Sequence, residues 1–204
     1  MTTMEQNAGA FTPSEGTALW PIALHPGAGS TAARIDEVLE NPGFGQYFTD
    51  HMVRATWTHD LGWHGAELTP YGPLSLDPAT NFLHYGQAIF EGLKAYRHAD
   101  GSIQTFRVLQ NAERFARSAR RLAMAEVPVE LFIGAIEALV RQDRAWVPSG
   151  AERSLYLRPF LLGTQSRSAL TSAAIDPMKS SSEISAIARR RAELLKRVAF
   201  LSGR

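Results

Sequence analysis

The sequence contains no cysteine, which excludes disulfide bonds and thiolate metal sites. No run of about 18 apolar residues occurs, so no membrane-spanning helix is predicted. Residues 1–6 lack a basic segment followed by an apolar one, and a secretory signal is therefore not expected. The remaining composition, 45% hydrophobic and 20% charged, is typical of a soluble globular protein. Together these features predict a cytoplasmic protein without a metal site.

The net charge of +1 conceals an uneven distribution along the 204 residues. Residues 1–164 carry 13 Lys and Arg against 17 Asp and Glu, whereas residues 165–204 carry 8 against 3. A basic tail can contact nucleic acid or an anionic membrane. Here the basic run Arg189-Arg-Arg191 is short and has no interleaved aromatic residues, so neither partner is predicted. The change of sign can also mean that tail and body have different origins.

Hydrophobic periodicity predicts one α+β domain, a sheet covered on one side by two helices. The domain is expected over residues 44–164, after a partly disordered leader arm at 1–43 and before a basic tail at 165–204. Predicted strands cover residues 47–58, 66–71, 93–97, 102–107 and 154–162. Predicted helices cover about 110–123 and 128–145, with a short basic helix at 184–201. Residues 62–65 are interpreted as a turn and residues 86–91 as a helical turn.

Four groups of side chains are candidates for chemistry, and each also has a structural interpretation. Tyr85 with His84 is more often a pair of core residues than a catalytic pair. The arginines of Asn111-Ala-Glu-Arg-Phe-Ala-Arg-Ser-Ala-Arg-Arg121 can form a solvated helix face, with Glu113 and Arg117 as an ion pair, or a phosphate site.

The other two candidates lie in predicted strands. Alternation places Tyr156, Arg158 and Phe160 on one face of the strand 154–162, and an arginine there needs a carboxylate, a ligand or water. A structural ion pair and a carboxylate-binding site are equally compatible with that pattern. Lys94 could in principle form an imine, but its neighbours give no sign of activation, so a solvated lysine is favoured.

The ordered series of these motifs resembles the N-terminal half of the branched-chain amino acid aminotransferases. The resemblance rests on Phe44-Gly-Gln-Tyr-Phe-Thr-Asp-His-Met52, Leu83-His-Tyr-Gly-Gln-Ala-Ile-Phe-Glu-Gly-Leu-Lys-Ala-Tyr96, Asn111-Ala-Glu-Arg114, Ser118-Ala-Arg-Arg-Leu122, Trp146-Val-Pro148 and Ser154-Leu-Tyr-Leu-Arg-Pro159. It implies the small domain of the D-amino-acid-aminotransferase-like fold and a homodimer that uses pyridoxal 5'-phosphate. D-amino-acid transaminase and aminodeoxychorismate lyase share the fold but not this combination of motifs.

The resemblance also implies a role for individual residues. Arg114 matches the arginine that grips the cofactor phosphate. Phe44, Tyr85 and Phe90 match the walls of the pocket for the side chain of leucine, isoleucine or valine. Tyr156 and Arg158 match the pair that meets the side-chain carboxylate of glutamate or 2-oxoglutarate. Arg117, Arg120, Arg121 and Lys94 gain no role.

The family's imine-forming lysine has no counterpart in this sequence. Lys94, Lys179 and Lys196 are the three lysines, and none has the family's Ala-Lys context followed by a glycine-rich segment. The family pattern ends just after Gly163-Thr164. A truncated or frame-shifted reading frame would explain both observations, and a genuine divergent tail is the alternative. No catalytic residue is therefore assigned, and we expect either an inactive chain or a non-catalytic fragment that pairs with an intact subunit.

Overall fold

The computed structural model describes residues 19–43, 45–150 and 152–164, together with the backbone of residues 167–178. Its strands are β1 (Ala23–Leu24), β2 (Phe48–Thr58), β3 (Gly62–Pro70), β4 (Ala88–Phe90), β5 (Leu93–Arg97), β6 (Ile103–Thr105), β7 (Ser154–Gly163) and β8 (Arg167–Met178). Its helices are α1 (Ala32–Glu40), α2 (Asn81–Tyr85), α3 (Val108–Arg121) and α4 (Val129–Gln142), and a 3-10 helix follows at Arg144–Trp146.

The strands form one sheet in the order β1-β3-β2-β8-β7-β5-β6, and β4 also pairs with β7. Strand β1 runs parallel to β3, and the other pairings are antiparallel. Helices α3 and α4 share one hydrophobic core with the sheet. In this core the ring centroids of Phe115 and Phe132 lie 5.4 Å apart. The α+β class predicted from the sequence is therefore confirmed.

Strands β4 and β5 continue one another along the same edge of β7. Phe90 pairs with Phe160, and Leu93 pairs with Leu157, so the register is unchanged across the gap. The ladder is interrupted opposite Pro159, which has no backbone N–H to donate. The Glu91 N–H still donates to the Pro159 carbonyl at 2.8 Å. The prediction of a helical turn over residues 86–91 is wrong, because pairing with β7 decides the conformation there.

The turn predicted at residues 62–65 is also wrong. These residues begin β3, and the chain reverses over residues 59–61 instead. Gly62 and Gly65 have φ values of 64° and 59°, which only glycine adopts without strain. The pairing of β2 with β3 shifts register between Arg54 and Thr56, so these glycines mark an irregular part of a hairpin. Sequence composition alone cannot separate that use of glycine from a turn.

The segment predicted as a loosely ordered arm contains helix α1. The side chain of Thr31 accepts a hydrogen bond from the Arg34 N–H at 3.3 Å and so caps the helix. Ile35 and Val38 are the two buried residues of α1, and they cluster with Trp146. So few apolar positions give a weak periodic signal, whereas the contact with Trp146 stabilises the helix. The helix predicted at residues 184–201 lies outside the described residues.

Strand β8 lies between β2 and β7 and pairs antiparallel with both. The sheet therefore includes backbone beyond residue 164. The division into a leader at 1–43, a domain at 44–164 and a tail of separate origin remains a prediction. Among the helices of the described residues, none combines the length and apolarity needed to cross a membrane.

Candidate functional site

Strand β7 alternates as its sequence predicts. Leu155, Leu157 and Leu161 are fully buried in the core that the sheet shares with α3 and α4. Tyr156 and Arg158 alternate with them and therefore lie on the opposite face of the sheet. This face carries the predicted substrate-binding pair.

Phe90, Tyr156 and Arg158 form one cluster on that face. The Arg158 guanidinium donates to the Tyr156 hydroxyl from Nε at 3.1 Å and from Nη2 at 2.6 Å. Its Cζ lies 4.5 Å from the centroid of the Phe90 ring and 5.0 Å from that of Tyr156. Tyr156 is buried, whereas Phe90 is 57% exposed. The structure thus holds a guanidinium against two aromatic rings, in cation–π geometry with both.

Gly92 makes room for this cluster. A Cβ at Gly92 would lie 2.3 Å from the Tyr156 hydroxyl oxygen and 3.1 Å from its Cζ. The register of β5 against β7 places Gly92 opposite Arg158 and beside Tyr156. A side chain at this position would displace the phenol to which Arg158 donates.

Replacing Gly92 by alanine is expected to lower the free energy of unfolding by about 1–3 kcal/mol, the usual cost of overpacking. The matched control is Gly72→Ala, where an added Cβ meets nothing within 4 Å. Urea denaturation of both variants measures the difference. Equal stability of the two variants would show that Tyr156 moves away at no cost.

Arg114 makes a two-point ion pair with Glu91. Its Nε donates to Glu91 Oε2 at 2.7 Å, and its Nη2 donates to Glu91 Oε1 at 2.8 Å. Nη2 also donates to Asn111 Oδ1 at 2.7 Å. The hydrogen bond with Glu91 raises the pKa of Arg114 above its ordinary value, so the guanidinium stays charged. The Arg114 side chain is 57% exposed and the Glu91 side chain 8%.

The predicted site residues fall into two groups joined by Phe90-Glu91-Gly92. Alternation along β4 and β5 places Phe90 and Gly92 on the face of Tyr156 and Arg158, and places Glu91 on the face covered by the helices. Arg114, on α3, reaches Glu91 from that helix side. Within the described residues Arg114 contacts Glu91 and Asn111 rather than the substrate-binding cluster.

The remaining predicted residues lie apart from these contacts. Tyr85 ends α2 and is 82% exposed, and its ring contact is with His84. The His84 ring bonds the Pro78 carbonyl at 2.7 Å, which is the structural role favoured from the sequence. Phe44 lies outside the described residues. Lys94 pairs with Tyr156 across β5 and β7, so it shares the face of the cluster.

A well-formed cavity of the described residues does not coincide with the predicted site residues. It has a volume of about 340 Å³ and lies between β6 and α4. Its lining includes Thr105, Glu137 and Arg141, and burial raises the pKa of Glu137. None of the predicted substrate-binding or cofactor-binding residues lines it.

Three residues of the site were missed by reasoning from the sequence. Glu91 and Gly92 lie in the same motif as Tyr85 and Phe90, yet the resemblance gave a role only to Tyr85 and Phe90. A carboxylate within an apolar segment requires a partner, and this was the available signal for Glu91. Asn111 lies three residues before Arg114, a spacing that brings side chains together on a helix. No sequence pattern indicated a role for Gly92, because that role depends on contact with a strand more than 60 residues away.

Comparison with known proteins identifies relatives of this chain. A probable branched-chain-amino-acid aminotransferase of Streptomyces coelicolor is 59% identical over 144 residues, which are 70% of this chain and 39% of the relative. The branched-chain-amino-acid aminotransferase of Mycobacterium tuberculosis is 52% identical over 137 residues, 67% of this chain and 37% of the relative. The chain therefore spans about two fifths of the length of these curated relatives. No protein-family model matches the chain.

Among solved structures, the branched-chain amino acid aminotransferase of Thermobaculum terrenum in its PLP form aligns with a TM-score of 0.48 at 18% identity. That alignment covers 64% of this chain and 41% of the other. The sequence relatives place the aligned part of this chain among the aminotransferases. Within that class the aligned part is similar to the branched-chain-amino-acid aminotransferases, and it corresponds to their N-terminal portion.

Proposed function

We propose that this chain carries the substrate-recognition portion of a branched-chain-amino-acid aminotransferase, folded as the small domain of that family. Its substrates would be leucine, isoleucine or valine together with 2-oxoglutarate. The observation that carries the proposal is the cluster of Phe90, Tyr156 and Arg158, in a chain that is 59% identical over 144 residues to a probable branched-chain-amino-acid aminotransferase. Location in the cytoplasm and assembly as a homodimer belong to the same proposal.

The cluster suits the two kinds of substrate that such an enzyme must accept in turn. Phe90 offers an apolar surface to a branched side chain, and Tyr85 and Phe44 are proposed to extend that wall. Arg158 offers a cation to the side-chain carboxylate of the second substrate. Because Tyr156 holds the guanidinium from one side, Arg158 needs little reorganisation when a carboxylate arrives.

Arg114 fits the phosphate of pyridoxal 5'-phosphate, because it is a charged, exposed guanidinium with one nitrogen, Nη1, unused within the described residues. The cofactor, when bound, acts as an electron sink at the amino-acid Cα. The protein's contribution here would be to bind and orient the phosphate. The three lysines lack the sequence context of an imine-forming residue, so residues 1–204 alone are expected not to transaminate.

Binding experiments with the full chain test the cofactor part of the proposal. We expect pyridoxal 5'-phosphate to bind more tightly than pyridoxal, and Arg114→Gln to weaken its binding roughly tenfold or more, the worth of a charge-assisted hydrogen bond. The control is Arg117→Gln. Arg117 is exposed on the same helix, and its Nη1 lies 4.0 Å from Glu113 Oε2. Isothermal titration measures both affinities. Equal affinity of the wild-type chain for the two compounds would overturn the proposal.

Turnover tests the proposed lack of catalysis. The chain with pyridoxal 5'-phosphate, leucine and 2-oxoglutarate is expected to produce no glutamate. Borohydride treatment followed by mass spectrometry is expected to show no covalent addition at Lys94, Lys179 or Lys196. Glutamate formation above that of free cofactor would contradict this part of the proposal.

A non-catalytic fragment that pairs with an intact subunit is a second candidate. The observation that favours it is the exposure of large apolar side chains, including Tyr85 at 82%, Phe90 at 57% and Leu83 at 56%. Apolar groups at a site that is complete without a partner are usually more protected. Co-purification with a full-length branched-chain aminotransferase would support this candidate, and a strictly monomeric chain in the presence of that enzyme would oppose it.

A further inference from the structure

Glu91 is a buried carboxylate whose two oxygens are both occupied. Oε2 accepts from Arg114 Nε, and Oε1 accepts from Arg114 Nη2 and from the Gly92 N–H at 2.8 Å. The Glu91 backbone is fixed as well, because its N–H donates to the Pro159 carbonyl. The carboxylate is therefore held between a strand of the sheet and α3.

Asn111 holds the same guanidinium from the helix. Its Oδ1 accepts from Arg114 Nη2, and its Nδ2 donates to the Phe106 carbonyl at 3.2 Å. Asn111 is 7% exposed, so its amide is fixed by packing and by these two bonds. Glu91 and Asn111 together occupy Nε and Nη2 of Arg114. Nη1 is the guanidinium nitrogen left without a bond to any described residue.

We propose that Glu91 is a positioning residue, which holds the guanidinium of Arg114 so that Nη1 meets the phosphate of a bound phosphorylated cofactor. The inference rests on the function proposed above. A guanidinium with five donors can present several edges to an anion. The two-point pair removes the edge formed by Nε and Nη2, so the anion is bound by the remaining nitrogen. An exposed arginine without such a pair would lose more side-chain entropy on binding.

The charge of Glu91 makes the proposal testable, because two explanations predict opposite results. If Glu91 merely competes with the anion, Glu91→Gln removes a negative charge and strengthens anion binding. If Glu91 positions Arg114, the same change weakens anion binding, because glutamine keeps only one acceptor oxygen and the two-point pair is lost. We expect weaker binding of pyridoxal 5'-phosphate by roughly tenfold, the scale of one charge-assisted hydrogen bond, with binding of pyridoxal unchanged.

A spectroscopic measurement on the full 15N-labelled chain tests the positioning without the cofactor. The Arg114 Nε–H is expected to exchange with water about tenfold more slowly than that of Arg117, since a closed hydrogen bond shields it. Glu91→Gln should remove this protection. Asn111→Ala, which breaks the bond to Nη2, should have a smaller effect. Glu113→Gln is the matched control, because Glu113 is an exposed carboxylate on the same helix.

The outcomes separate this inference from the proposed function. Lost Nε–H protection together with weaker binding in Glu91→Gln supports the inference. Unchanged or tighter binding in Glu91→Gln, while the wild-type chain still prefers pyridoxal 5'-phosphate to pyridoxal, overturns the inference alone. A wild-type chain without that preference overturns both. If Glu91→Gln fails to fold, its urea transition shows this. Asn111→Ala then tests the inference instead, through the affinity for pyridoxal 5'-phosphate and the exchange rate of the Arg114 Nε–H.

Discussion

Asp143→Ala is expected to lower the free energy of unfolding by about 1–3 kcal/mol, because it leaves a buried hydrogen-bonding group without its partner. Asp143 and His51 are 2% and 3% exposed, and Asp143 Oδ1 lies 2.5 Å from His51 Nδ1. Asp143 Oδ2 also accepts from the His51 backbone N–H at 3.2 Å. The carboxylate therefore connects the end of α4 to the middle of β2.

The contacts of His51 explain the expected loss of stability in Asp143→Ala. Its second ring nitrogen, Nε2, lies 2.8 Å from the Pro26 carbonyl oxygen. Both ring nitrogens of His51 therefore face an oxygen atom within hydrogen-bonding distance. Without Asp143 the ring would be buried with a missing partner, which is the costly situation for a polar group.

Chemical denaturation of three variants measures this prediction. Asp143→Asn keeps the shape but not the charge and is expected to lose less stability than Asp143→Ala. Asp36→Ala replaces an exposed aspartate of α1 and should change stability by no more than about 0.5 kcal/mol. A loss below about 1 kcal/mol for Asp143→Ala would show that the pair contributes little, as exposed pairs do.

Phe115→Ala is expected to cost about 3–5 kcal/mol, the range for a large aromatic residue removed from a core. Phe115 is 1% exposed and packs against Phe132 of α4 with ring centroids 5.4 Å apart. It lies next to Arg114 on α3, so it also fixes the helix from which Arg114 reaches Glu91. We expect the variant to lose protection of the Arg114 Nε–H as well as stability.

Two comparisons keep the Phe115 prediction specific. Phe115→Leu removes fewer buried atoms and should lose less stability, so it remains measurable if the alanine variant is unfolded. Leu61→Ala replaces a residue that is 66% exposed, and we expect it to change stability by no more than about 0.5 kcal/mol. Normal Nε–H protection in a folded Phe115→Ala variant would contradict the link between core packing and the site.

Local periodicity predicted the elements whose pattern is long or has one clear face. The alternation of β7, the hairpin of β5 and β6, and helices α3 and α4 all agree with the structure. The prediction is wrong where pairing with a strand that is distant in sequence determines the local conformation. Residues 88–90 are a strand because β7 pairs with them, and residues 62–65 are a strand because β2 does. The glycines at 62 and 65 favoured a turn and the short segment at 86–91 a helical turn, and the sheet overrides both local preferences.

Motifs and periodicity were sufficient to predict the resemblance to the branched-chain aminotransferases, the α+β class and the face of β7 that carries Tyr156 and Arg158. These follow from ordered motifs and from a two-residue period, which need no knowledge of distant contacts. Three contacts became visible only in the folded chain. Glu91 holds Arg114, Gly92 makes room for Tyr156, and Arg114 reaches Glu91 from the helix side of the sheet. Each of these depends on bringing together side chains separated by 20 or more residues, and neither spacing nor composition specifies such distances.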